Sequence, residues 1–141
     1  MPIIVQEIMS TATSRLLQDA TIHQVSLLCK DIAQSRKFYE AVLGAQFIAE
    51  FDPPGLLFFQ FGATRLLLDK NGNPGLLYFR VARIDQMVRS LKHKGIEFET
   101  EVQAVFKDDE GLFGKAGDTE CMAFFKDPAD NTLALVEQRR V

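Results

Sequence analysis

The sequence predicts an α+β fold made of two βαβββ modules, and three observations carry that prediction. Gly44-Ala45-Gln46-Phe47 recurs in the second half as Gly95-Ile96-Glu97-Phe98, as expected of one supersecondary unit used twice. Each copy closes an amphipathic stretch that has its own helix-start and helix-stop residues. Apolar runs bounded by Gly, Pro, Asn and Asp flank both stretches, as strands do.

In the first half, residues 21–30 read as a strand. Asp31 is a good helix N-cap, and Gln34 three residues on completes a capping-box pattern. Ile32, Tyr39, Val42 and Leu43 fall near one helical face, and Gly44 suits the left-handed residue past the helix end. Residues 46–51 follow as a strand, Pro53-Pro54-Gly55 as a turn, and 56–61 and 64–69 as strands hinged at Gly62. Asn71-Gly72-Asn73-Pro74-Gly75 joins the halves as a loop. The second half repeats the order with a strand over 76–81 and a helix capped by Asp85. That helix carries Met87, Val88 and Leu91 and stops at Gly95. Strands then run over 97–102, 120–126 and 132–137, with a turn at 127–131. Residues 103–119 are polar and hold Gly111, Gly114 and Gly117. A loop of that length is expected either to cover a pocket or to be a mobile excursion.

The 141 residues, 47% apolar and 25% charged, suit one globular domain with a real core. Residues 21–141 are expected to form it, as modules over 21–70 and 76–137. Residues 1–20 make an N-terminal extension that packs on a partner or stays disordered. The longest uncharged stretch, 53–64, contains two prolines and two glycines. It falls short of the ~20 apolar residues a membrane helix needs. A net charge of −3 without a dense Lys/Arg run argues against nucleic acid as a partner. The first charge is Glu7, with no basic flank before it, which argues against a secretory signal. Cys29 and Cys121 have no Cys or His nearby at metal spacing. They are expected to be two buried free thiols of a cytoplasmic protein.

Several blocks share order and spacing with a known superfamily. They are Val25-Ser26-Leu27 with Lys30-Asp31-Ile32, then Ser35, Phe38-Tyr39 and Val42-Leu43-Gly44. Phe79-Arg80-Val81, Ile84-Asp85, Leu91 and Gly95-Ile96-Glu97-Phe98 continue the series. Phe125-Lys126-Asp127-Pro128, Asn131 and Leu133 close it. Together they resemble the vicinal oxygen chelate superfamily of glyoxalases, bleomycin-resistance proteins, epimerases and extradiol dioxygenases. The resemblance covers about 22–137 and implies curled mixed sheets around a shared concave cavity. It also implies metal ligands on inward strand positions, which fall here on Gln24, on Leu67 or its neighbour Leu66, on Leu76 and on Ala134. Glutamine is compatible with some glyoxalases I, but leucine and alanine offer no lone pair. A catalytic divalent metal takes about three protein ligands, so no metal and no cofactor is expected. His23 is out of phase with Gln24, and Glu137 with Ala134. His93, in Lys92-His93-Lys94, sits at a helix end where positive charge is favoured.

Strand alternation gives the inward positions. They are Gln24, Ser26 and Leu28, then Arg65, Leu67 and Asp69, then Leu76, Tyr78 and Arg80, and finally Thr132, Ala134 and Val136. All but Leu28 and Val136 are candidate ligand-binding residues. The alternate set, among it Val25, Leu27, Leu66, Leu68, Leu77, Phe79, Leu133 and Leu135, is apolar and belongs against the helices. Arg65 and Arg80 suit a carboxylate, phosphate or enolate, or else pair with Asp69 or a Glu at the rim. Tyr78 stacks on a planar ligand or fills space. Gln24 orients a ligand carbonyl or is satisfied by Ser26 or Thr132. Ser26 has no histidine beside it for a triad. Residues 111–117 lack the spacing of a phosphate loop. Two functions remain. The first is a module binding a small, partly apolar molecule, neutral or anionic, in a metal-free cavity. The second is a glyoxalase-, epimerase- or dioxygenase-type enzyme with a recruited metal, or with acid–base chemistry from groups such as Asp69 or Glu120. The resemblance implies a homodimer, and an edge strand such as 46–51 offers backbone groups to pair.

Overall fold

Most strands carry apolar residues at alternate positions, so each of these must bury one face, and a helix alone cannot cover four strands. The computed structural model describes residues 16–141; most of the expected 1–20 extension lies outside that range. The first module runs β1 (Gln24–Leu28), α1 (Ile32–Arg36), β2 (Gln46–Phe51), β3 (Leu56–Phe61) and β4 (Thr64–Asp69). α1 continues as a π-helical segment over Lys37–Val42. The second module runs β5 (Leu76–Arg80), α2 (Ile84–His93), β6 (Gln103–Asp108), β7 (Asp118–Lys126) and β8 (Thr132–Arg139). Sheet 1 has the order β1-β4-β3-β2 and sheet 2 the order β5-β8-β7-β6. In each, the first strand lies parallel to the last and the other pairs are antiparallel. The expected α+β fold of two βαβββ modules is the one that forms.

Both sheets turn their apolar faces to one core. Leu27, Leu57, Phe59, Leu66 and Leu68 of sheet 1 meet Ala123, Phe125, Leu133 and Leu135 of sheet 2 there, with Ile32 and Tyr39 of the first helical segment and Ile84, Val88 and Leu91 of α2. Each fully buried Leu or Phe contributes about 1.5–3 kcal/mol. The Phe61 and Phe79 rings meet across the junction at 5.0 Å. The opposite, open faces of the two sheets therefore look away from each other.

Three local features differ from the sequence expectation. Asp85 does not cap α2; Arg83 holds the N-cap position without a capping side chain. The cap comes instead from β8, where Glu137 accepts the Ile84 N–H at 2.9 Å. Asp85 pairs with Arg139 at 2.6 Å. Capping rules see local residues only, and here the acceptor lies 53 positions away. Residues 97–102 are not a strand; Phe98 alone bridges Phe125, and Glu99 N–H bonds Phe124 O at 2.8 Å. The fourth strand is β6, inside the stretch read as a loop. β6 is an edge strand exposed everywhere but Asp108, and a register shift between Ala104 and Phe106 breaks its alternation. No apolar periodicity marks it. The third feature is length: β7 starts at Asp118 and β8 runs to Arg139.

The modules are joined by a buried polar cluster. Tyr39 OH donates to Asp127 Oδ2 at 2.6 Å. Asn131 Nδ2 donates to the same oxygen at 2.8 Å and to Leu28 O at 2.7 Å. Gly75 N–H donates to Asn131 Oδ1 at 2.9 Å. Asp127 Oδ1 accepts the N–H groups of Ala129 and Asn131, both at 2.9 Å. Burial first, and the Asp127 carboxylate second, push the Tyr39 phenol pKa up, so it stays a donor. Tyr39→Phe leaves a buried carboxylate short of a partner. It should cost about 1.5–3 kcal/mol, read from urea unfolding. An unchanged midpoint would show that the cluster does not hold the modules.

Candidate functional site

The candidate residues fall into two groups, one on each open face. On sheet 1, Gln24 pairs in register with Arg65, Ser26 with Leu67, and Leu28 with Asp69. Arg65 Nε donates to Gln24 Oε1 at 2.6 Å, and its guanidinium lies 5.4 Å from the Phe58 ring centre. Arg65 is thus tied to Gln24 rather than to Asp69, and Gln24 is satisfied by Arg65 rather than by Ser26 or Thr132. Asp69 Oδ1 accepts the Asn71 N–H at 2.8 Å and so shapes the turn that follows.

On sheet 2, Leu76 pairs with Thr132, Tyr78 with Ala134 and Arg80 with Val136. Ala134 faces the open side yet is fully buried, between Tyr78 on one strand and Phe124 on the other. Those two rings meet edge-on at 6.3 Å. Thr132 Oγ1 accepts from Lys126 Nζ. Arg80 has no hydrogen-bond or ion-pair partner among the described residues, whereas Arg36, Arg65, Arg139 and Arg140 each have one.

A cleft of about 480 Å³ opens on this face. Tyr78, Phe113, Met122 and Val136 give its apolar walls, and Arg80, Glu120 and Gln138 its polar groups. Gln138 Nε2 donates to Glu120 Oε2 at 3.1 Å, which leaves the other carboxylate oxygen to the cleft. The clefts that Arg80 lines contain neither Gln24 nor Arg65. Phe113, Met122 and Gln138 are additions to the sequence-derived set, as is Glu120 in a lining role. Alternation along β7 and the C-terminal half of β8 would have found all but Phe113.

Phe113 arrives by another route. Asp108, buried at the end of β6, accepts the Leu112 N–H at 2.7 Å and the Phe113 N–H at 2.9 Å. Its own carbonyl accepts from Gly117 at 2.7 Å. Burial pushes the Asp108 carboxyl pKa up, but N–H groups of Phe113, Leu112, Gly111 and Gly114 outweigh burial and hold it below the usual value. The glycine-rich stretch therefore wraps its own carboxylate, as a phosphate loop wraps phosphate. The loop orders as a latch that sets the Phe113 ring against Phe106, centroids 5.7 Å apart, at the cleft wall.

His23 and His93 are exposed, outside both groups. Cys29 and Cys121 are buried free thiols, and burial pushes the Cys29 pKa up. Among the described residues no group of three or more His, Cys, Asp or Glu is placed to hold a metal ion. No described helix is long and apolar enough to cross a membrane.

Residues 21–135 match the family model of the Glyoxalase/Bleomycin resistance protein/Dioxygenase superfamily. No curated protein matches the chain at a significant level. Among solved structures, a lactoylglutathione lyase from Agrobacterium tumefaciens superposes with a TM-score of 0.68 at 20% identity, over 84% of this chain and 93% of that one. A glyoxalase/bleomycin resistance protein/dioxygenase from Alicyclobacillus acidocaldarius gives 0.65 at 18% identity, over 84% and 92%. A glyoxalase family protein from Enterococcus faecalis gives 0.64 at 22% identity, over 85% and 99%. At these identities the likeness establishes the fold alone.

The Asp108 latch predicts a local effect. Because its folded pKa lies below the ordinary value of about 3.9, its contribution is present at neutral pH and is lost as pH falls through the depressed folded value. Asp108→Asn turns an NH₂ toward one of the two amides. Hydrogen exchange at Leu112 and Phe113 should then speed by on the order of tenfold, with β8 unaffected. Unchanged protection would mean that other contacts hold the loop.

Proposed function

Because the chain belongs to the Glyoxalase/Bleomycin resistance protein/Dioxygenase superfamily, we propose that it is a small-molecule binding module of that fold, without the metal of its enzymatic relatives. One observation carries this reading: Arg80, an arginine without a partner among the described residues, lines an otherwise largely apolar cleft. Such a lining suits a small, partly apolar molecule, with an anionic group where it meets the guanidinium.

The side chains at the family's metal positions do not fit a cation. Leu67, Leu76 and Ala134 have no donor atom, and the Gln24 oxygen already faces the Arg65 guanidinium at 2.6 Å. A divalent ion there would meet one neutral amide and a neighbouring positive charge. The enzymatic alternative rests on Glu120, the carboxylate of the cleft. Its Oε2 accepts from Gln138 Nε2, which holds the carboxylate as an acceptor that orients a ligand donor, and we take binding as the reading.

The site is completed by a second copy. Each chain presents half of a cavity on each of two outward faces, and both halves leave apolar rings uncovered: Phe51 on sheet 1, and Tyr78, Phe106 and Phe113 on sheet 2. A two-fold dimer that sets one face against the other brings Gln24, Arg65 and Phe58 of one chain opposite Tyr78, Arg80 and Ala134 of its partner. Two buried free thiols suit a cytoplasmic protein.

Arg80→Ala should weaken binding of an acidic ligand by about 1.5–3 kcal/mol, the worth of a charge-assisted hydrogen bond, with the fold intact by circular dichroism. Equal affinity would remove Arg80 from the site. Leu76→His combined with Ala134→Glu should create, with Gln24 of the other chain, a three-ligand set. Zn²⁺ should then raise the unfolding midpoint of this double variant but not of wild type, and light scattering should show twice the 15.9 kDa chain mass. A monomer that binds no zinc would overturn the shared-cavity arrangement.

A further inference from the structure

Behind Arg80, on the opposite side of β5 from the open face, the two modules leave a gap. It measures about 220 Å³. Its walls include Phe61, Phe79, Val81, Met87, Leu91 and Leu135. Phe79, Val81 and Leu135 belong to the core-facing set of their strands, so the gap is separate from the open-face cleft. Arg80 is the single charged residue among the residues that line it.

We infer that this slot is a binding site of its own, which takes the apolar body of a small aromatic or aliphatic carboxylate while Arg80 holds the acid group at its mouth. The inference rests on the reading of Arg80 as an anion-binding residue and extends it to a different pocket. Three observations carry it. First, size fits: an apolar cavity of about 150 Å³ accepts benzene, so 220 Å³ takes a ring with a short side chain. Second, the chemistry of the walls fits. The tilted Phe61 and Phe79 rings, 5.0 Å apart, offer aromatic surface, and Arg80 is the one polar residue among those that line the slot. Walls facing empty space forgo dispersion contacts that a ligand restores. Third, position fits. Arg80 ends β5, an edge strand that pairs only with β8. Arg80 therefore stands where the two meet, and it lines the slot as well as the open-face cleft. With no partner among the described residues, the guanidinium can take a carboxylate with two parallel hydrogen bonds.

The test uses 3-phenylpropionate and acetate as probes of the full-length protein, followed by methyl NMR. 3-Phenylpropionate should shift the methyl signals of Val81, Leu91 and Leu135 and bind on the order of tenfold or more tighter than acetate. Met87 is 39% exposed at the slot, so Met87→Trp can plug the mouth without disturbing the core. It should erase the advantage of 3-phenylpropionate and leave acetate binding as it was. Since the chain has no tryptophan, the new indole also reports folding and occupancy by fluorescence. Shifts at Met122 and Val136 instead, or unchanged 3-phenylpropionate affinity in Met87→Trp, would place the ring on the open face. That result overturns the slot and leaves the proposed function standing. Arg80→Ala without effect on either acid would overturn both.

Discussion

The Asp127 carboxylate fixes the position of nearly everything else. It sits on the turn between β7 and β8, yet it bonds Tyr39 of the first module's helical segment. Through Asn131 it reaches the end of β1 at Leu28 and the start of β5 at Gly75. The ends of β1, β5, β7 and β8 and the first module's helical segment therefore meet at one buried charge. A buried carboxylate is unfavourable unless every lone pair is used. Here two backbone amides, one phenol and one side-chain amide use them. An apolar contact would tolerate a shift of the modules by a fraction of an ångström. This cluster tolerates much less, because each bond lost strands a partner in the core.

The two arginines on the open faces show how one residue type is put to different uses. Arg65 lies in a strand flanked on both sides, and its neighbours Gln24 and Phe58 engage its Nε and its flat face. Arg80 lies at the end of an edge strand, and its cross-strand neighbour is Val136. A guanidinium beside valine keeps its hydrogen-bonding capacity for something else. Sheet 1 presents a face on which Gln24 meets Arg65, and sheet 2 one whose Arg80 has no partner among the described residues.

Much of this was legible in the sequence, and the parts that were not share a cause. Alternation in β1, β4, β5 and β8 sorted Leu27, Leu66, Leu68, Leu133 and Leu135 to the core because those strands bury one face and carry the pattern in full. The capping residue Asp31 was equally plain, since its bond to Gln34 N–H at 2.8 Å is local. β6 was hidden because an edge strand exposed on both faces has no apolar period to show. The Glu137 cap of α2 and the Asp108 latch were hidden because their partners are found by folding rather than by spacing. That the inward positions form two groups follows from how the modules pack, through Phe61 on Phe79 and Tyr39 on Asp127. No strand-by-strand pattern encodes that.

The internal repeat explains why the cleft lies on sheet 2. After Gly44, Phe47 enters β2 at once, and a short turn over residues 52–55 leads back into β3. After Gly95, Phe98 makes only a single bridge to Phe125, and the strand proper starts at Gln103. The late start carries β6 further along β7 and ends it at Asp108, beside Asp118. The connection between β6 and β7, residues 109–117, then has to fold back over the end of the sheet. Asp108 gathers its amides and sets Phe113 beside the Arg80 and Glu120 positions. In the first module a turn of four residues has nothing comparable to place over its sheet. Two copies of one unit, with edge strands of six residues each, thus differ in where that strand starts and in the single carboxylate that ends it.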